Sequence, residues 1–151
     1  MEKQTFSIEI NASTGEVWQT LFTDDTYPKW ANVFYEGSYA VTDWKEGSKA
    51  LFLGPERSGI IGVIETSARN ERMVIKYTGE MIKGVEDFEG PGAKQVIGAT
   101  ESYTLTPKGD GTLLTVELSG GNFSDEIRDF FLEVWPKALE GVKELAEGAA
   151  I

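Results

Sequence analysis

The sequence contains no histidine and no cysteine. A Ser-His-Asp triad, a Cys-His pair, a thiolate nucleophile and a disulfide are therefore all excluded. Zinc and haem sites draw on the same two residue types, so no metal centre and no cofactor are expected. Basic residues are also scarce. The 14 Lys+Arg stand against 25 Asp+Glu, a formal net charge of -11. Clustered Lys and Arg are needed to release counterions from nucleic acid and to hold an anionic bilayer surface. The chain has no basic run, so neither nucleic acid nor membrane insertion is expected. No stretch approaches the ~18 consecutive apolar residues of a spanning helix. The first residues, Met1-Glu2-Lys3-Gln4-Thr5-Phe6, lack the apolar region of a signal peptide, which points to the cytoplasm.

What is present suffices for one core. A chain of 151 residues is read as one domain, 1–151. At this size ~70% of the unfolded surface can be buried. The 8 Phe, 5 Tyr and 4 Trp exclude a disordered chain. The acidic excess is scattered along the chain and forms no tail. That favours a solubility role; a basic protein partner is the sharper alternative.

Periodicity then sets the elements. Thr5–Ile10 alternates polar and apolar residues, a strand with Phe6, Ile8 and Ile10 inward. Ser13 and Glu16 form a capping box ahead of Val17, Trp18, Leu21 and Phe22, which predicts a short helix over 14–22. Thr23–Thr26 leads into a second short helix carrying Tyr27, Pro28 and Trp30. Strands are predicted over 36–44, 49–53, 59–66, 72–82, 100–106 and 112–118. In 72–82, alternation puts Met73, Ile75, Tyr77 and Met81 on one face. Residues 84–98 read as a loop rich in glycine and acid, and Lys108–Gly111 as a hairpin turn. Ser124 caps a long terminal helix. Its apolar stripe runs Ile127, Phe130, Phe131, Val134, Ala138, Leu139, Val142 and Leu145, and Pro136 is expected to kink or break it. Short turns make the strands antiparallel, and only the terminal helix is long enough to cover the sheet. The class is α+β: a curved antiparallel seven-stranded sheet with two short helices, gripping one long C-terminal helix.

This order of elements resembles the START-like, or helix-grip, superfamily (SRPBCC), which includes the birch-pollen-allergen and polyketide-cyclase families. Several segments resemble more specifically the family of homologues of the activator of the heat-shock-protein-90 ATPase. They are Val17–Asp24, Trp30, the hairpin from Gly62–Glu65 to Arg72–Val74, the hairpin of Ser102–Pro107 and Gly111–Thr115, and the terminal set Trp135, Leu139 and Val142. Arg69-Asn70 departs from the proline common there. The resemblance implies a cavity between sheet and helix, where superfamily members bind lipids, hormones and polyketides and some catalyse cyclisation or hydrolysis. Some members of the narrower family bind the chaperone.

For a ligand cavity the sequence offers Trp30, Phe52, Tyr77, Met81, Tyr103, Phe131 and Trp135. Each could equally fill a core. Glu101 shares the inward face with Tyr103 and Leu105, where a carboxylate would be desolvated. It is the weak candidate for a catalytic acid or a ligand anchor, with a salt bridge or a frayed strand end as the structural alternatives. The direction of Glu65 is unreadable. Glu86-Asp87-Phe88-Glu89 reads as a solvated loop, a lid or a calcium loop, although it lacks the ligand spacing of an EF-hand. No carboxylate pair stands at catalytic spacing, so an enzyme is not indicated. Three functions remain open: binding a hydrophobic small molecule, acting as a protein-interaction module such as a chaperone ATPase co-regulator, or a cyclase- or hydrolase-type cavity enzyme using Glu101 with Tyr103 or Tyr77. Oligomeric state is not readable.

Overall fold

The computed structural model describes residues 3–148. The chain runs β1 (Gln4–Ile10), α1 (Thr14–Leu21), α2 (Tyr27–Ala31), β2 (Tyr39–Val41), β3 (Lys49–Leu53), β4 (Gly59–Ala68) and β5 (Arg72–Ile82). It continues through β6 (Val85–Asp87), α3 (Pro91–Val96), β7 (Thr100–Lys108), β8 (Gly111–Ser119) and α4 (Asp125–Ala146). Seven strands form one antiparallel path in the order β1-β8-β7-β5-β4-β3-β2, and β6 adds an eighth by pairing with β5 off that path. Helices α1, α2 and α4 cover one face of this curved sheet, the helix-grip arrangement.

Local chemistry explains the elements. In β1 the even-numbered Phe6, Ile8 and Ile10 turn toward the core while Thr5, Ser7 and Glu9 stay exposed. The Ser13–Glu16 capping box is present: the Glu16 N–H donates to Ser13 Oγ at 3.1 Å, and the Ser13 N–H donates to Glu16 Oε1 at 3.2 Å. Ser124 Oγ accepts from the Ile127 N–H at 3.3 Å and starts α4. The helix then runs through Pro136 as a single element, without the break that proline threatens. Pro136 and the neighbouring Leu132 are exposed, so the ring points to solvent and the freed carbonyl of Leu132 can be hydrated.

Three segments differ from the sequence reading, each for a local reason. Residues 36–44 were expected as one strand, but only Tyr39–Val41 pairs. Before it, Ser38 donates to the Tyr35 carbonyl and Asn32 Oδ1 accepts from the Gly37 N–H. After it, Thr42 Oγ1 and Asp43 Oδ1 accept from the N–H groups of Trp44 and Lys45. These side-chain bonds replace the ladder. The expected loop at 84–98 holds both β6 and α3. There, Asp87 Oδ1 accepts from the N–H groups of Glu89 and Gly90 at 3.0 Å each, and Pro91 opens α3. Glu86 pairs with Lys49. Asp87 is therefore held by a turn and Glu86 by an ion pair.

The third difference is a β-bulge. Ile61 pairs with Gly79 and Gly62 with Tyr77, so Thr78 has no residue opposite it on β4. The extra residue reverses the alternation of β5. Tyr77 stays with the main core, whereas Met81 crosses to the other face and packs with Leu53 and Ile61. The shared face expected for Tyr77 and Met81 is thus corrected. A second bulge leaves Glu65 unpaired between Ile64 and Thr66, and its side chain is exposed. No helix among the described residues is long and apolar enough to cross a membrane.

Candidate functional site

A cavity of about 510 Å³ lies between the sheet, α2 and the N-terminal half of α4. Its wall is aromatic. Helix α2 and the turn after it supply Tyr27, Trp30 and Phe34; β3 supplies Phe52; β5 and β7 supply Tyr77 and Tyr103; α4 supplies Phe130, Phe131 and Trp135. Neighbouring rings touch. Tyr27 and Trp30 lie edge to face at 5.0 Å between centroids, Phe34 and Trp135 at 4.8 Å, and Tyr103 and Trp135 at 6.1 Å. Such pairs contribute about 0.5–1.5 kcal/mol each beyond their burial, so the wall is a stiff surface. The Trp30 indole N–H is satisfied by the Leu21 carbonyl at 3.3 Å, which fixes the ring.

The polar centre of the cavity is Glu101. Tyr77 Oη donates to Glu101 Oε1 and Tyr103 Oη to Oε2, each at 2.8 Å. The register explains the grouping. Glu101 pairs with Ile75 on β5, two residues from Tyr77 on that strand, and lies two residues from Tyr103 on β7 itself. The three polar ends therefore converge from one sheet face. Burial raises the Glu101 pKa above the usual glutamate value, while the bonds from Tyr103 and Tyr77 pull the other way. Burial likewise pushes the Tyr77 and Tyr103 phenols well up, and the Glu101 charge adds to it. Tyr27 is raised by the same two causes in the same order. A carboxyl in this setting can accept further hydrogen bonds, pair with a cation or hand over a proton. Among the described residues the lining holds one other acid, Glu56, and no lysine or arginine.

Of the residues named from sequence, the structure brings seven around this space: Trp30, Phe52, Tyr77, Glu101, Tyr103, Phe131 and Trp135. Met81 is not among them, because the Thr78 bulge turns it away. Tyr27 and Phe34 escaped the sequence reading, although Tyr27, Trp30 and Phe34 stand at i, i+3 and i+7, the spacing of one helical face. Phe123 and Phe130 also line the cavity and carried no separate signal. No group of three or more Asp or Glu side chains is placed to hold a metal ion among the described residues.

No functionally curated protein matches the chain. Solved structures do. A Mesorhizobium loti protein superposes with a TM-score of 0.74 at 15% identity, covering 99% of this chain and 100% of the other. The Aha1 dimer from Colwellia psychrerythraea gives 0.73 at 19% identity, with 97% of each chain covered. CalU16 from Micromonospora echinospora gives 0.67 at 18%, covering 97% of this chain and 74% of that one. At these identities the likeness establishes the helix-grip fold alone. The family described as activator of Hsp90 ATPase homolog 1-like protein matches residues 11–147, nearly the whole domain, and the chain belongs to that family.

Proposed function

We propose that this chain binds a hydrophobic small molecule, lipid-like or aromatic, in the cavity between the sheet and α4. The observation that carries the reading is the aromatic-walled space of about 510 Å³ with Glu101 and its two tyrosines as its polar centre. Ligand pockets share that composition: apolar walls with a few placed polar groups. The volume lies within the ~300–1,000 Å³ range typical of such pockets. The test is titration of the protein with N-phenyl-1-naphthylamine, a neutral probe that brightens in apolar surroundings. Saturable uptake near one probe per chain is the expected result. Emission that rises without saturating, or does not rise, sinks the reading.

A second reading, contact with a chaperone ATPase, is favoured by family membership and by the exposed apolar side chains Phe130 and Leu132 on α4. Adding the chain to a purified Hsp90-type chaperone should then change its ATP turnover. Unchanged turnover at saturating protein removes this reading and leaves the first intact.

A further inference from the structure

A carboxyl group at the centre of an aromatic cavity raises the question of its counter-charge. Glu101 receives two phenol hydrogen bonds, one per oxygen, and each oxygen keeps capacity for another donor. Tyrosine donors spread its charge without cancelling it. Among the described residues no lysine or arginine lines the cavity, and the sequence contains no histidine. The ion pairs elsewhere do not reach it: Lys49, Lys108 and Lys143 are engaged by Glu86, Glu9 and Glu147. Desolvation of the carboxyl is thus built into the fold and unrelieved by any protein cation. The walls around it are the faces and edges of Tyr27, Trp30, Phe52 and Trp135, and aromatic faces attract cations through their quadrupole.

Resting on the cavity-binding reading, we infer that the ligand is an organic cation: an apolar body carrying one protonated amine, which pairs with Glu101 while the aromatic walls hold the body. The amine supplies the missing counter-charge and donates to the free positions on the carboxyl. The rings replace part of the hydration that the ammonium loses. The same arrangement rejects carboxylic acids, because a second carboxylate beside Glu101 would be repelled with little water between them. Neutral alcohols fit by shape and donate one hydrogen bond, without the charge. Fatty-acid-type ligands are therefore disfavoured, and amphiphilic amines are selected, among molecules of equal length.

The experiment is displacement of bound N-phenyl-1-naphthylamine from the full chain by 4-phenylbutylamine, 4-phenylbutan-1-ol and 4-phenylbutyrate at neutral pH. In the wild type the amine should displace the probe at a concentration lower by about tenfold or more than the alcohol, with the acid weakest. Glu101→Gln keeps the shape and removes the charge. It should lose the preference for the amine, read as the ratio of amine to alcohol displacement within the variant itself. Alcohol matching amine in the wild type overturns the inference, as does a preference that survives in Glu101→Gln. In both cases probe binding itself still supports the cavity reading. A wild type that takes up no probe overturns both. Circular dichroism reports whether Glu101→Gln folds; if it does not, the order of the three compounds on the wild type decides alone.

Discussion

Along α4, residues 125–133 include no buried side chain, whereas Val134, Trp135, Ala138, Leu139, Val142 and Ala146 are all buried. The first stretch offers large rings, Phe130 and Phe131, over the cavity. Beyond Trp135, which still faces the cavity, the second offers small and branched aliphatic groups pressed against the closed core. Small side chains let the helix approach closely and leave no void, while bulky rings prop it away and leave one. One helix thus serves as anchor at one end and as cavity wall at the other. Its division falls at Val134 to Pro136. Stability should therefore reside in the second half, and ligand response in the first.

That division can be broken by substitution. The largest effect is expected at the anchor: Leu139→Ala, at a side chain 2% exposed, should cost about 2–5 kcal/mol in urea denaturation. A loss below 1 kcal/mol would mean that the two halves are equally loose. At the junction, Pro136→Ala restores a helix N–H on the solvent face and should raise stability by about 1–3 kcal/mol in the same assay. No gain would mean that the helix is already adapted to the proline.

A pH-dependent difference follows from Glu101. Its pKa in the fold lies above the ordinary value because burial penalises the charge. The folded chain thus binds this proton more tightly than the unfolded chain. The associated stability is complete below the ordinary glutamate range and is lost as pH rises through the folded-state value. Glu101→Gln has no such loss, so its stability relative to the wild type should improve from about pH 4 to about pH 8. A constant difference would show that the tyrosine bonds just offset burial, and a difference running the other way that they outweigh it. The smallest effect is expected at the wall. Phe130, 41% exposed, should change stability by less than about 0.5 kcal/mol on substitution to Ala. Probe affinity should fall by about threefold in the same variant. A stability loss as large as that of Leu139→Ala would erase the distinction between the halves.

The sequence displayed the anchor more openly than the wall. Alternation in β1, the Ser13–Glu16 box and the terminal stripe are periodic and local; the structure follows them, except that the first residues of the stripe, Ile127, Phe130 and Phe131, are not buried. Most of the wall could also be read: strand alternation set the faces of Tyr77 and Tyr103, and aromatic content singled out Trp30, Phe52, Phe131 and Trp135 as wall or core. Met81 could not be placed by strict alternation, since one extra residue at Thr78 reverses every position beyond it. The adjacent Gly79 is the available clue, as an isolated glycine inside a strand pattern often marks a bulge. Its missing side chain is filled by the Phe88 ring, which would stand 2.6 Å from a Cβ there. Strand β6 and helix α3 were hidden for a different reason: three and six residues are too few to show a period. Alternation within β7 already put Glu101 beside Tyr103, whereas the approach of Tyr77 needed coordinates, because cross-strand register brings it to Glu101.

The aromatic packing also makes the protein its own optical instrument. The four tryptophans belong to one connected set of rings: Trp18 meets Phe22, Phe22 meets Trp44, Trp44 meets Tyr27, Tyr27 meets Trp30, and Trp30 meets Trp135. None lies on β6 or α3. Intrinsic ultraviolet emission therefore reports from the cavity end of the molecule, with Trp30 and Trp135 at the surface any occupant would touch. An unlabelled guest should shift that emission on entry, while events around β6 and α3 pass unseen.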